Sequence, residues 1–290
     1  MEEQLRFAKK PLSLLNTAKG VGVGIANIIP GVSGGTIAVI TGLYDELVDA
    51  FGNFFTSDGG WRRNLLFLAP VIVGILAGNI FFARVIGWLL ERAPGATTWG
   101  FIGLILGSIP YLVRRAGMQS LRWYHPLLFL AGLAVVLWMG LTPRPAASPP
   151  ITELTALSAL WVFSAAFIAS IAMIIPGVSG SFLLLLIGMY STLQNSFSTL
   201  NVPVILVFVG GTLVGVVMVS KGIAALLRTF HGSTYVAIIG LVVGSGIALY
   251  PGFGMGNNVA LDGAGLAAGL GLSLLLGTGM KERLLKRGHE

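Results

Sequence analysis

Residues 28–34 of this 290-residue chain read Ile-Ile-Pro-Gly-Val-Ser-Gly, and residues 174–180 carry the same sequence again. Both copies lie in strongly apolar sequence, where a Pro-Gly pair ends a helix and leaves backbone groups that lipid cannot hydrogen-bond. Broken backbone at that depth is tolerated where it lines a cavity inside a protein. A duplicated break therefore predicts a duplicated binding element, as in transporters built from internal repeats.

The similarity between the two regions extends beyond these copies. At an offset of 146 residues the matching pairs are Gly42 and Gly188, Tyr44 and Tyr190, Leu47 and Leu193, and Phe51 and Phe197. At an offset of 137 residues they are Gly74 and Gly211, Gly78 and Gly215, Arg84 and Lys221, Gly103 and Gly240, and Gly107 and Gly244. A loop at 58–63, absent from the second half, accounts for the change of offset. The duplication predicts an N-terminal repeat over 1–141, a linker over 142–153 and a C-terminal repeat over 154–290.

The composition indicates an integral membrane protein. Hydrophobic residues make up 55% of the chain and charged residues 10%, and the mean hydropathy is +0.87. A soluble domain of this length could not bury so much apolar surface. Lys19 interrupts the first apolar region, so we expect no cleaved signal peptide. The absence of cysteine excludes disulfides and cysteine-ligated metals, and we expect no metal or cofactor.

The apolar segments predict six membrane crossings and two re-entrant hairpins in an all-α fold. The crossings are expected at 64–90, 97–113, 126–141, 203–227, 233–250 and 260–279. Only residues 20–29 precede the first Pro-Gly break without a charge, and such a run of helix reaches about 15 Å, half of a roughly 30 Å hydrocarbon core. The first hairpin should therefore enter and leave on the cytoplasmic side. The second should enter from the outer side, although its first arm, 154–175, is nearly long enough to span.

The distribution of positive charge supports this arrangement. With both termini cytoplasmic, only Arg84, Arg92 and Arg144 of the 18 lysines and arginines fall on the outer side. Such a bias towards the cytoplasm requires an odd number of crossings in each half, so the two repeats should be inverted. The net charge of +7 is then explained by topology, and we expect no nucleic-acid partner.

The two breaks predict a pair of anion-binding sites facing each other near the middle of the membrane. Glycines allow close approach of backbone, the hydroxyls of Ser33 and Thr36 can cap the following helix, and a helix N-terminus attracts negative charge. The alternative is that these small residues only permit tight helix packing. The predicted binding residues are Pro30, Gly31, Ser33, Gly34, Gly35, Thr36, Pro176, Gly177, Ser179, Gly180 and Ser181.

Two kinds of charged residue have candidate roles beside these breaks. Arg84 and Lys221 occupy equivalent repeat positions in apolar sequence, where a phosphate would give the cations a partner; snorkelling to the interface is the alternative. Asp45 and Glu46 follow the first hairpin and have no counterpart in the second. A carboxylate there could carry the proton that couples movement of an anion into a negative interior, or it could simply be a solvated helix end.

The sequence resembles the PopT family of bacterial polyprenyl-phosphate transporters over residues 12–280. The resemblance rests on the duplicated Pro-Gly-Val-Ser-Gly cores, on Gly42-Leu43-Tyr44 and Gly188-Met189-Tyr190 after them, and on the layout of the whole chain. It implies a flippase that returns undecaprenyl phosphate, the lipid carrier of cell-wall synthesis, from the outer to the inner leaflet of the bacterial cytoplasmic membrane. It also implies that 30–36 and 176–181 are the hairpin tips. Ser181 replaces Gly35 in the second tip, so the two tips need not be equivalent.

Two other functions fit parts of this pattern. An ion-coupled carrier of a small soluble anion could use the same helix ends, but would need a sealed aqueous vestibule in place of a lateral opening to lipid. The Gly-Val-Ser-Gly segments also match the pattern around the serine of rhomboid intramembrane proteases. A serine nucleophile needs a base within reach. The chain's histidines, His125, His231 and His289, are predicted in cytoplasmic loops and the tail, so we expect no enzyme.

Overall fold

The computed structural model describes residues 14–28, 32–55, 60–117, 122–143, 148–250 and 258–287, and all regular secondary structure within them is helical. The helices are α1 Leu14–Ile28, α2 Gly34–Ile40, α3 Tyr44–Gly52, α4 Gly60–Arg92, α5 Pro94–Arg115, α6 His125–Leu141, α7 Ala156–Ile174, α8 Gly180–Leu186, α9 Tyr190–Ser198, α10 Val202–Thr229, α11 His231–Ala248 and α12 Val259–Arg287. The prediction of an all-α polytopic membrane protein is confirmed.

Among the described residues, six helices are long and apolar enough to cross a membrane: α4, α5, α7, α10, α11 and, over Val259–Gly277, α12. This set differs in one member from the predicted crossings. Helix α6 is apolar but has 17 residues, whereas α7, predicted as the first arm of the second hairpin, has 19 residues and reaches about 28 Å. Helix α1 is also longer than the uncharged run 20–29, because it begins at Leu14 and continues through Lys19.

The chain has the same order of elements after each Pro-Gly break. A helix of 7 residues, α2 or α8, is followed by a turn and a helix of 9 residues, α3 or α9. Gly42 and Gly188 end the short helices with φ of 62° and 73°, a conformation that glycine adopts at little cost. In both turns the next residue, Leu43 or Met189, donates its N–H to the carbonyl five residues earlier, as in a Schellman motif.

The long helices pack in pairs that follow the internal duplication. Helix α1 packs along α4, and α7 packs along α10. Helix α5 packs along α12, and α6 along α11, so these two pairs each join one helix from either half. Helices α5 and α11 also contact each other, and a continuous buried core runs from the first hairpin through α5 to α10 and α11.

Glycines at matching positions let these helices approach closely. A Cβ built at Gly74 in α4 would lie 2.1 Å from the carbonyl oxygen of Thr17, and one at Gly211 in α10 would lie 2.4 Å from that of Phe163. Helices in lipid gain little from burying apolar surface against each other, so close packing of small residues is what holds them together. The repeated glycines of the sequence therefore mark two equivalent helix–helix contacts, that of α1 with α4 and that of α7 with α10.

The same rule makes a prediction for α5 and α11. A Cβ at Gly103 would lie 2.3 Å from the carbonyl oxygen of Leu266, and a Cβ at Gly240 would lie 2.1 Å from that of Phe129. We expect Gly103→Ala and Gly240→Ala each to lower the free energy of unfolding by about 1–3 kcal/mol, because the helices must separate. Thermal unfolding of the purified protein in detergent measures this effect.

Gly222→Ala is the matched control, because nothing lies within 4 Å of a Cβ built there. This substitution in α10 should leave the unfolding temperature unchanged or raise it slightly through helix propensity. Equal unfolding temperatures for all three variants would contradict the close-packing role of Gly103 and Gly240.

Candidate functional site

Residues 33–36, which follow the first Pro-Gly break in the sequence, contact residues 174–177, which contain the second. The backbone N–H of Gly177 donates to the Thr36 hydroxyl at 3.0 Å, and the Ser33 hydroxyl donates to the carbonyl of Ile175 at 3.4 Å. A Cβ at Gly35 would lie 3.2 Å from the backbone of Ile174 and Pro176. Side chains of the first tip thus satisfy two backbone groups of the second break, the N–H of Gly177 and the carbonyl of Ile175.

The prediction that Ser33 and Thr36 cap the following helix is wrong. Ser33 occupies the N-cap position of α2 with extended backbone, but its side chain makes no capping hydrogen bond and reaches the other half of the chain. Ser179 is likewise the N-cap residue of α8 without a side-chain cap, and its hydroxyl lies 3.0 Å from that of Ser181. In both tips, therefore, the serine hydroxyl bonds elsewhere than to the backbone of its own helix.

The two tips differ in accessibility. Ser33 and Thr36 are 3% and 2% exposed, and Gly34 and Gly35 are buried with them. In the second tip Pro176 and Gly177 are buried, Ser179 and Gly180 are half-buried, and Ser181 is exposed. Pro30 and Gly31 lie outside the described residues. A ligand therefore has access to the second tip in this conformation, whereas the first tip is covered.

The exchange of Gly35 for Ser181 has a structural reason. Gly35 faces the backbone of Ile174 and Pro176, and a side chain at this position would require that segment to move. Ser181, at the equivalent position, is exposed, and its hydroxyl lies 3.0 Å from that of Ser179. The sequence difference therefore accompanies a difference in burial between the two tips.

Asp45 links three helices that are far apart in the chain. Its carboxylate forms an ion pair with Arg115 at the end of α5, and it accepts a hydrogen bond of 2.8 Å from the Tyr235 hydroxyl on α11. Four residues further along α3, Asp49 pairs with Arg228 of α10 at 2.5 Å. Asp45 therefore stands at a helix end, as considered from sequence, but its carboxylate is paired and 30% exposed. Glu46 lies on the exposed side of α3.

The second hairpin has no corresponding charges, as its sequence predicts. Ser191 stands at the position of Asp45 and donates its hydroxyl to the carbonyl of Ser148. Thr192 accepts a hydrogen bond from the N–H of Ile151. Helix α9 is therefore tied to the segment before α7, while α3 is tied to α5, α10 and α11.

Tyr44 adds a buried hydroxyl beside this cluster. Its side chain is almost completely buried, and its oxygen has no hydrogen-bond partner among the described residues. Burial raises the pKa of the Tyr44 phenol, and the neighbouring Tyr235 and Asp45 raise it further. The hydroxyl is consequently protonated at physiological pH and available as a donor.

Arg115 and Tyr235 were not among the residues singled out from sequence. Arg115 belongs to an arginine pair at a helix end, a pattern that the cytoplasmic charge bias already explains, and Tyr235 carries no motif. Arg84 and Lys221, which were singled out, have exposed side chains on α4 and α10. They lie outside the buried contact between the tips.

Neither His125 nor His231 is hydrogen-bonded to a serine of the tips, and His289 lies outside the described residues. His125 and His231 begin α6 and α11, so their prediction as loop residues is wrong. The Nε2 of His125 lies 3.3 Å from the Ser233 hydroxyl, and that of His231 lies 3.0 Å from the carbonyl oxygen of Arg115. Neither imidazole is hydrogen-bonded to Ser33 or Ser179, as activation of a serine nucleophile would require.

Among the described residues, six helices long and apolar enough to cross a membrane define a polytopic membrane protein. The profile of the undecaprenyl phosphate translocase-like family matches residues 23–261. The chain belongs to this family.

Two relatives are named polyprenyl-phosphate transporter. That of Vibrio cholerae is 35% identical over 257 residues, covering 84% of this chain and 80% of the relative. That of Staphylococcus aureus is 33% identical over 247 residues, covering 82% of this chain and 86% of the relative. No solved structure matches the chain significantly. These names indicate a transporter and not an enzyme.

The contact between the tips predicts a specific effect of removing one hydroxyl. Thr36→Val keeps the shape of the side chain but leaves the buried Gly177 N–H without an acceptor, which costs about 1–3 kcal/mol. We expect a lower free energy of unfolding, measured by thermal unfolding in detergent. Thr36→Ser retains the hydroxyl and is the control. A free energy of unfolding in Thr36→Val equal to that of the natural protein would contradict a stabilising role of this hydrogen bond.

Proposed function

We propose that this protein transports polyprenyl phosphate, with undecaprenyl phosphate as the expected cargo, from the outer to the inner leaflet of the bacterial cytoplasmic membrane, and so recycles the carrier lipid of cell-wall synthesis. Membership of the undecaprenyl phosphate translocase-like family carries this proposal, and the names of both relatives agree with it. The two hydrogen-bonded tips fit such a role. A lipid phosphate needs shielding only for its head group, because its tail stays in the bilayer.

The proposed architecture consists of two inverted repeats, each with a re-entrant hairpin and three transmembrane helices. The N-terminal repeat covers 1–141, the linker 142–153 and the C-terminal repeat 154–290. Three observations support it. Glycines at equivalent positions make close helix–helix contacts, the short helices of the two halves have the same lengths, and the turns at Gly42 and Gly188 match. A helix of 7 residues reaches only about 10 Å, so α2 and α8 cannot cross the membrane alone.

In the proposed pathway the phosphate enters at the second tip. The half-buried Ser179 and Gly180 and the exposed Ser181 are the polar groups open to it, whereas the first tip with Ser33 and Thr36 becomes available once the tips separate. An accessible tip on the hairpin assigned to the outer side supports inward transport. Arg84 and Lys221 are proposed as surface cations that guide the head group, and Asp45 and Glu46 as candidate residues for coupling to a proton or cation.

The inverted arrangement makes a prediction that single cysteines can test, because the natural chain contains none. Trp123, before α6, and Val259, at the start of α12, are exposed at 83% and 79%. Both precede the third helix of their repeat, so inversion places them on opposite sides. In intact spheroplasts we expect an impermeant maleimide to label Val259→Cys, and to label Trp123→Cys only after lysis. Labelling of both from one side would contradict inversion.

The transport activity itself is tested in vesicles that contain only this protein. We expect it to accelerate the exchange of labelled undecaprenyl phosphate between leaflets, compared with protein-free vesicles. Ser181→Leu should lower the rate roughly tenfold, because a hydrogen bond to a charged group is worth about 1.5–3 kcal/mol. Ser198→Leu, at an exposed serine of α9, is the matched control and should retain the natural rate.

Two results of this assay would count against the proposal. Exchange no faster than in protein-free vesicles would contradict transport of this lipid. Uptake of labelled inorganic phosphate without lipid exchange would instead indicate a carrier for a soluble anion.

A further inference from the structure

The groups around Asp45 form a set of donors for an oxyanion. The guanidinium of Arg115 contacts Oδ2 and the hydroxyl of Tyr235 donates to Oδ1 at 2.8 Å, so the two donors approach different oxygens of one carboxylate. They come from α5 and α11, which belong to different halves of the chain. Guanidinium and hydroxyl donors of this kind bind phosphate oxygens as readily as carboxylate oxygens.

We propose that Arg115 and Tyr235 form a second binding station for the phosphate monoester head group, and that Asp45 occupies this station as an internal competitor when no lipid is present. The inference rests on the proposed function and deepens it, because it adds residues that neither the repeat motif nor the family match assigns. On the proposed topology the station lies on the cytoplasmic side, where an inward-moving head group arrives last.

The station is accessible to a ligand. The side chains of Arg115 and Asp45 are 41% and 30% exposed, so a head group can approach without unfolding the surrounding helices. A phosphate monoester carries a charge of about −1.5 to −2 near neutral pH, against −1 for the carboxylate, and offers three terminal oxygens. It can therefore take over both donors from Asp45.

A further donor lies beside the station. The Tyr44 hydroxyl is buried and lacks a hydrogen-bond partner among the described residues. A buried unpaired hydroxyl is costly, and an additional phosphate oxygen would relieve that cost where the carboxylate does not. The neighbourhood of Asp45 thus has more donors than a carboxylate uses.

Displacement of Asp45 would also remove one of the polar links that hold α3. That helix is joined to the other half of the chain through Asp45 and Tyr235, and through Asp49 and Arg228. Loss of the first link leaves the exposed pair of Asp49 and Arg228, which contributes little to stability in water, together with the apolar packing of α3 against α10. Arrival of the head group is thereby coupled to loosening of the helix that closes the first hairpin.

The experiment measures binding of geranyl phosphate, a short and soluble prenyl phosphate, to the purified full-length protein in detergent by isothermal titration calorimetry. Asp45→Asn removes the competing charge and leaves Arg115 and Tyr235 in place. We expect this variant to bind geranyl phosphate roughly tenfold more tightly than the natural protein, a gain typical of freeing one charge-assisted hydrogen bond. Geraniol, which lacks the phosphate, should show no such gain.

Three variants make the result specific. Asp49→Asn removes the same charge from the same helix and should bind geranyl phosphate within twofold of the natural protein. Adding Arg115→Gln to Asp45→Asn should abolish the gain. Tyr235→Phe in the natural chain should weaken binding several-fold, and it tests the station independently should Asp45→Asn fail to fold.

The outcomes separate this inference from the proposed function. Unchanged affinity in Asp45→Asn and Tyr235→Phe, an equal gain in Asp49→Asn, or a gain that survives Arg115→Gln would each overturn the station, even if leaflet exchange proceeds in vesicles. Absence of lipid exchange in the natural protein, with no binding of geranyl phosphate in any variant, would instead overturn the proposed function and the station with it.

Discussion

The structure depends on the hydrogen bond between the Thr36 hydroxyl and the N–H of Gly177. A Pro-Gly break releases backbone groups that an apolar environment cannot satisfy, so a break inside a bundle of apolar helices needs a partner. Here the first tip is that partner for the second break, because Thr36 accepts from the N–H of Gly177 and Ser33 donates to the carbonyl of Ile175. The second break is therefore satisfied in part by the other half of the chain, and the hydroxyls of Ser33 and Thr36 are buried where the two halves meet.

Close helix–helix contacts at glycines hold the meeting point of the two halves in place. Because apolar helices gain little from contact with one another in lipid, the strength of the assembly comes from how closely their backbones approach. The pairs α5 with α12 and α6 with α11 join the two halves, and their glycines bring carbonyl oxygens of the facing helix to where a side chain would otherwise be. The pairs α1 with α4 and α7 with α10 fix each broken segment within its own half. The two tips are thus positioned by close contacts between the helices of these pairs.

Much of this arrangement could be predicted from the sequence, because it follows from a duplication. The repeated motif indicated that two breaks would occupy equivalent positions, and the repeated glycines marked helix contacts. The functions of Ser33 and Thr36 could not be predicted in the same way, since capping is the local use of a hydroxyl and both residues bond to the other half of the chain. The same is true of Asp45, whose partners Arg115 and Tyr235 lie 70 and 190 residues away. No periodicity in a sequence reports such distant partners.

On the proposed pathway, the asymmetry between the two hairpins follows from what an anion carrier must do at its two ends. Binding must be favourable enough for the anion to enter and weak enough for it to leave, and a buried arginine with no counter-ion would retain a phosphate. The second hairpin, with serines and no charge, can offer only moderate affinity at entry. At the first hairpin a carboxylate already neutralises the guanidinium, so the net attraction for a phosphate is the difference between two similar interactions. The charged α3 and the neutral α9 are therefore two solutions to one requirement, that no step of the passage binds the head group too strongly to release it.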